Sequence, residues 1–266
     1  MKELQCVAKK EIMDNIRNKW IIFSSGILVL LLLTPFFLMP SLKYCVDFKE
    51  AISQLAKLVS PIVPIIALVL GYASIAREIE SGTMEALVAM PISRREITAG
   101  KFLGLLAVLV ISIFLSFGVS AMVITFSRTM ENFSYFFLFM LCTILLGSSF
   151  LALSFFFSSL LRKRSSALIL AIFIWFFFNL IMPLIQTGLL LEVGMEGALA
   201  GKIPDWLYAL DFLNPLSMYT SLVDMLAGSA KNHPSFYTPH SLVAVFFIWI
   251  LLFFLLTILK FERTDI

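Results

Sequence analysis

Histidine, cysteine, serine and a phosphate-binding lysine are the residues most often recruited for chemistry, and their spacing here excludes most of it. His233 and His240 lie close together in one polar stretch, away from serines inside apolar runs such as Ser148. A serine hydrolase needs a base within hydrogen-bond distance of its nucleophile, and none is expected. Cys6, Cys45 and Cys142 are far apart and form no C-x-x-C pair, so neither a metal cluster nor a disulfide framework is expected. Met218 and Met225 beside the two histidines make a poor metal set, because Met and His near a membrane surface usually have packing or solvated roles. Gly100-Lys101 and Gly201-Lys202 lack the upstream glycine and the following hydroxyl residue of a G-x-x-x-x-G-K-[ST] loop. The chain therefore has no cradle of its own for ATP phosphates. No catalytic residue, no metal and no resident cofactor are expected.

What remains is charge, gathered between Arg77 and Lys101 in the stretch REIESGTMEALVAMPISRREITAGK. Thr83 offers an N-cap for a short helix that Pro91 ends, since proline cannot continue the hydrogen-bond ladder. Ser93 and Glu96 then stand in the S-x-x-E capping box, which predicts a second helix running through Lys101 into the next apolar run. The expected product is a bent helical loop on a membrane surface, able to pass force between a soluble partner and the spans it joins.

This stretch resembles the core of ABC-2-type transporter permeases, through Glu78, Gly82-Thr83, Glu85, Leu87, Pro91, Ser93-Arg94, Glu96 and Gly100-Lys101. The resemblance implies that the segment is the main coupling helix, docked on a separate ABC ATPase subunit that binds ATP and Mg. It implies Glu78, Gly82, Thr83, Glu85, Arg94 and Arg95 as coupling or docking residues, with two copies of the permease, or a close heterodimer, acting together. The two alternatives are a stand-alone channel or passive carrier, and a non-transporting membrane scaffold.

The elements that position this stretch follow from hydropathy. At 266 residues, with 60% hydrophobic and 14% charged content and a mean hydropathy of +0.98, the chain belongs in a bilayer. Its net charge of +3 gives no reason to expect nucleic acid. Six apolar runs, at Trp20 to Met39, Leu58 to Ala76, Phe102 to Phe126, Phe133 to Leu161, Ser166 to Leu190 and Ser241 to Leu259, are long enough to cross a hydrocarbon core of about 30 Å. The fold class expected is an all-α integral membrane protein, one domain over residues 1–266. It has six transmembrane helices, an N-terminal amphipathic helix over 1–19, the coupling segment 77–101 and an outer loop 191–240. The apolar side of the N-terminal helix carries Val7, Ala8, Ile12 and Ile16, opposite Lys10, Asp14 and Arg17; the family resemblance makes it an elbow helix. No cleavable signal peptide is visible ahead of the first run.

Lys and Arg choose the orientation. They concentrate in 1–19, 77–101, 162–165 and 260–266, so both termini and the coupling segment face the cytoplasm, across the cytoplasmic (inner) membrane. The Arg162-Lys163-Arg164 turn lies on the same side as a topology anchor. Within the stated limits no run holds Asp, Glu, Lys, Arg or His, so no proton or sodium relay is expected and the energy must enter from outside the bilayer.

Gly100, Gly104, Ser112 and Ser116 set small residues along one face of the third run, a pattern for close helix packing. Asn179 and Gln186, with Pro183 between them, interrupt the fifth run and are expected to line a substrate path, a subunit interface or an interhelical hydrogen bond. In the outer loop Asp205 caps a short helix through Leu210, and Asn214-Pro215 opens another that Gly228 closes. Trp206, Tyr208, Phe212 and Tyr219 are the aromatics expected at a membrane interface. In the ABC-2 family two short helices of this kind re-enter the outer leaflet. Asn214-Pro215 with Tyr219 also resembles the permeases associated with copper-enzyme maturation, including the nitrous oxide reductase accessory permease. The cargo is not named by the sequence; Phe-rich spans without charge suit an amphipathic or neutral species.

Overall fold

The computed structural model describes residues 2–38, 48–83, 92–127, 133–161, 163–192, 204–228 and 233–263, and among these it is helical throughout, with no strand. The helices are α1 (Lys2–Arg17), α2 (Trp20–Leu38), α3 (Phe48–Val59), α4 (Ile62–Gly71), α5 (Ala76–Glu80), α6 (Arg94–Ser127), α7 (Phe133–Leu160) and α8 (Arg164–Phe176). A π-helical turn over Phe177–Ile181 then leads into α9 (Met182–Glu192), followed by α10 (Asp205–Asp211), α11 (Pro215–Leu226) and α12 (Pro239–Glu262). Five candidate membrane spans result, or six when the bent pair α1 and α2 counts as one.

The bundle is built around α7. Some 72% of its most apolar window is buried, against 17% for the spans 164–191 and 239–262, which leave long apolar faces to lipid or to another subunit. Apolar burial alone does not join helices inside a bilayer, so small and polar side chains do much of the joining. Ser154 Oγ donates to the Leu68 carbonyl at 2.8 Å, and a Cβ added at Gly71 would meet Ser154 Cβ at 2.8 Å, so α4 and α7 lie nearly in backbone contact. The turn at 72–75 leaves amides at the start of α5 without intrahelical acceptors; Ser158 Oγ accepts from both Ile75 N and Ala76 N at 3.1 Å. Ser24 Oγ donates to Ser112 Oγ at 3.0 Å and Ser116 Oγ to the Ser25 carbonyl at 3.3 Å, tying α2 to α6.

The second span departs from its expected limits. Helix begins at Phe48, ten residues before Leu58, and the span consists of α3, α4 and α5 in series. Lys49, Glu50 and Lys57 thus lie within helix rather than in an outer loop. Proline explains the first interruption, since Pro61 lacks an amide for the ladder; Trp175 Nε1 takes up its carbonyl at 2.8 Å. In the fifth span the π-helical turn sits where Pro183 removes the donor that Asn179 O would receive.

Two details of the 191–240 segment differ from the sequence expectation. Asp205 is not a cap: helix α10 starts one position earlier in effect, with Pro204 at the cap and Asp205 in the first turn, where its charge suits the helix dipole. Tyr219 is not interfacial either; it is fully buried, its hydroxyl 3.2 Å from Thr143 Oγ1 on α7. Asn214 does cap α11, accepting from Leu216 N at 3.0 Å with Pro215 at the first helical position.

Helix α1 packs along the start of α6, a little differently from its predicted face. Val7 and Glu11 are buried while Ile16 is 49% exposed, so a carboxylate lies on the packed side. A Cβ added at Gly100 would lie 2.8 Å from Val7 Cβ, and one at Gly104 would lie 2.7 Å from Glu11 Cβ and 2.8 Å from the Ala8 carbonyl oxygen. Gly118, further along α6, has nothing within 4 Å. Gly104→Val is therefore expected to separate α1 from α6 and cost about 1–3 kcal/mol, read as a lower unfolding temperature of the purified protein, while Gly118→Ala does not lower that temperature.

Candidate functional site

Helix α6 has 34 residues. At 1.5 Å per residue it is about 51 Å long, well beyond a hydrocarbon core of about 30 Å, so its first turns project from the bilayer and carry the end of the charged segment. The helix starts where the capping box requires: Ser93 Oγ accepts from Glu96 N at 3.3 Å, and Glu96 Oε2 accepts from Ser93 N at 3.2 Å.

Two turns on, Lys101 is 2% exposed. Its ammonium donates to Glu11 Oε1 at 2.6 Å and to the Ser74 carbonyl at 3.2 Å, and lies 2.8 Å from Glu78 Oε1. Lys10 reaches the same Glu78 oxygen at 3.4 Å from the more exposed side. Glu11 comes from α1, Ser74 from the turn before α5, Glu78 from α5 and Lys101 from α6. Four points of the chain thus meet at one buried cation. A desolvated ammonium needs partners for all its donors, and here two carboxylates and a carbonyl supply them.

The sequence did not reveal this cluster. Its carboxylates lie 90 and 23 positions from Lys101; Glu78 stands just past the second apolar run, and Glu11 falls within the N-terminal helix, whose packed face the sequence marks as apolar. The signal available was the Lys101 position itself, two helical turns inside α6 and directly after Gly100, on the side where α1 comes close.

The residues singled out from sequence separate into groups. Glu78 is held internally by Lys101 rather than displayed. Gly82 is exposed, with φ of +70° in the region that favours glycine, and Thr83 is exposed, its hydroxyl turned back to Ser81 Oγ at 2.8 Å. Arg94 Nη1 donates to the Phe261 carbonyl at 3.2 Å, and Arg95 pairs with Glu262, its Nη2 donating to Oε2 at 3.3 Å. The start of α6 is thereby fastened to the end of α12. Glu85, and the expected helix from Thr83 to Pro91, lie outside the described residues, as does Arg162. Asn179 donates within its own helix to the Trp175 carbonyl at 3.0 Å, half-buried. Gln186 belongs to a second polar cluster near the other end of the bundle.

In that cluster Gln186 Nε2 donates to Asp211 Oδ1 at 3.0 Å and the Tyr237 hydroxyl to Asp211 Oδ2 at 2.9 Å, joining α9, α10 and the approach to α12. Burial pushes the Asp211 carboxyl above the usual carboxylate range, against the pull of these two hydrogen bonds. A raised native value means that its contribution is present below the unfolded pKa and is lost as pH rises through the native one. Between those two values, stability should fall with rising pH in the wild-type protein and fall less in Asp211→Asn, as followed by thermal unfolding across an acidic pH series. Among the described residues no group of three or more His, Cys, Asp and Glu side chains is placed to hold a metal.

The Lys101 cluster makes its own prediction. Lys101→Met leaves Glu11 and Glu78 buried without their cation and is expected to cost about 3–5 kcal/mol. Combining it with the double substitution Glu11→Gln, Glu78→Gln should regain much of that, a non-additivity read from unfolding of the wild type, Lys101→Met, the double and the triple variant.

Comparison with known proteins agrees with this architecture. Residues 5–266 match the model of the ABC-2 family transporter protein domain. The chain is 31% identical over 226 residues to the probable ABC transporter permease protein NosY of Stutzerimonas stutzeri, covering 82% of this chain and 80% of that one. It is 32% identical over 220 residues to the protein of the same name from Pseudomonas aeruginosa, covering 80% and 78% respectively. With nearly the whole chain matched and several apolar helices of spanning length, the protein belongs to the ABC-2 transporter family, as a multi-pass permease-type membrane component of an ABC transporter.

Proposed function

We propose that this permease is the membrane half of an ATP-driven exporter, coupled at the base of its 77–101 segment to a separate ATPase subunit that binds ATP and Mg. It works as a homodimer or close heterodimer in the cytoplasmic membrane, with both termini and the coupling segment inside. The observation that carries the reading is the buried Lys101 ammonium, shared between α1, α5 and α6.

The family pairs such membrane components with an ABC ATPase. Binding of ATP closes the ATPase pair, and the exposed Gly82-Thr83 end of the segment moves with it. A loop anchored only by its ends would absorb that motion. Here the displacement reaches Glu78, and through Lys101 it is delivered to α1 and α6 together. The Arg94 and Arg95 contacts extend it to the end of α12. The helices that move then alternate access between the two leaflets. Apart from the ion cluster at one end, their apolar runs suit an amphipathic or neutral cargo, and the resemblance to copper-enzyme maturation permeases supports a cargo used in metalloenzyme maturation. Asn214, Pro215 and Tyr219 have structural roles of their own, so those three residues do not by themselves carry the cargo class.

The test is reconstitution of the permease with its ATPase in proteoliposomes. Lys101→Met is expected to keep the ATPase bound, so that it still co-purifies, but to lower substrate-stimulated ATP hydrolysis about tenfold, within the span of ordinary coupling energies. Gly82→Trp should instead weaken co-purification. Transport by the permease alone, without nucleotide or partner, would replace the exporter reading with that of a passive carrier.

A further inference from the structure

A cavity of about 620 Å³ opens beside the Lys101 cluster, between α1, the bend at 17–20, the end of α4 and Arg164. Its floor includes Trp20, Val69, Leu70 and Leu105, and its polar wall includes Arg17, Arg77 and Glu78. Helix α1 meets α2 at 65° at this point, which brings a surface-lying helix over the ends of spanning ones. On the topology proposed above, which this inference rests on, the cavity lies at the headgroup level of the inner leaflet.

Its charges are unevenly satisfied. Glu11 and Glu78 are balanced by Lys101 from behind and Lys10 from the exposed side, leaving Asp14 as the one other carboxylate in the lining. Arg17 and Arg77 have no carboxylate partner among the described residues. Arg164 is held in place at the edge, its Nη2 donating to the Tyr72 hydroxyl at 3.2 Å and its backbone amide to Glu80 Oε2 at 2.8 Å. On the acceptor side, Glu78 Oε1 serves Lys101 and Lys10, whereas Glu78 Oε2 is buried with no hydrogen-bond partner. Among the described residues the cavity therefore offers two guanidinium groups without a carboxylate partner for an anion and one buried carboxylate oxygen that lacks a donor, above an apolar floor. Basic pockets between spanning helices on the cytoplasmic side are where anionic lipid headgroups bind.

We propose that this cavity binds a phosphodiester headgroup carrying hydroxyl donors, of the phosphatidylglycerol type, from the inner leaflet. Arg17 and Arg77 take the phosphate oxygens, a headgroup hydroxyl donates to Glu78 Oε2, and the acyl chains run down past Trp20 and Leu105. The lipid so placed touches the same carboxylate that Lys101 holds, and its occupancy sets how firmly α1 is fastened to α5.

The test is native mass spectrometry of the full-length, delipidated permease with lipids of identical acyl chains. Phosphatidylglycerol should be retained over phosphatidylcholine about tenfold, and phosphatidylmethanol, with the same charge but no hydroxyl donor, should fall between them. Arg17→Gln with Arg77→Gln, both exposed and so harmless to folding, should reduce phosphatidylglycerol to the level of phosphatidylcholine. Equal retention of the three lipids, or an unaltered preference in the double variant, overturns the proposal. Displacement by free glycerol 3-phosphate assigns the cavity to a soluble phosphate compound and overturns the lipid source. Expulsion of the lipid when the ATPase subunit binds assigns the cavity to that subunit and overturns it too. Labelling of Asn18→Cys by an impermeant maleimide in sealed vesicles reads the side of the membrane separately, so an inverted topology is told apart from an absent lipid site.

Discussion

A single ammonium removed from water sets the terms for the rest of this molecule. The buried Lys101 ammonium has partners only while Glu11, Glu78 and the Ser74 carbonyl stay within hydrogen-bonding range, so three helices and a turn cannot separate there without exposing or stranding charge. Such a cluster adds little net stability compared with an apolar core, because desolvation consumes much of the attraction. What it adds is specificity of position. Gly100 and Gly104 admit α1 to the near-contact distance at which Glu11 can reach Lys101, and α1 in turn roofs the site against solvent.

The same economy runs through the membrane part. Lipid tails are as apolar as leucine, so burying leucine does not by itself bring helices together. The contacts that fix α7 against α4 and α5 are made by Ser154, Ser158 and Gly71, and those that fix α2 against α6 by Ser24, Ser112 and Ser116. The broken second span is tolerable because its freed amides meet Ser158 rather than lipid. At the other end of the bundle Asp211 repeats the pattern of the Lys101 cluster in milder form, one half-buried carboxylate holding three elements by hydrogen bonds instead of ion pairs.

Much of this was legible in the chain itself where the signal is local. Runs of spanning length, the Ser93–Glu96 box and the Asn214-Pro215 helix start each depend on a few adjacent residues, and the helices begin where those residues put them. Boundaries set by distant partners were not legible. Helix α3 was missed because Lys49, Glu50 and Lys57 read as loop, whereas α11 packs against it and Ser53 hydrogen-bonds to Asp224. Tyr219 read as interfacial because tyrosine usually is, but Thr143 gives its hydroxyl a partner in the interior. The ion cluster escaped for the same reason. The apolar runs as bounded from sequence hold no charge, but the second span extends back to Phe48 and takes in Lys57, and Lys101, Glu78 and Glu11 converge only when α1 folds back across the start of α6.

The account turns on whether the base of the 77–101 segment moves as one body with α1 and α6. Electron spin-echo distance measurements on spin labels at Met13, Ser81 and Leu103, all exposed, read this directly in the reconstituted complex with its ATPase. The three mutual distances should hold between the nucleotide-free and ATP-bound states, while each changes relative to a label at the exposed Trp206. A shift of Ser81 relative to Met13 and Leu103 on ATP binding would show that the buried ion cluster does not carry the motion.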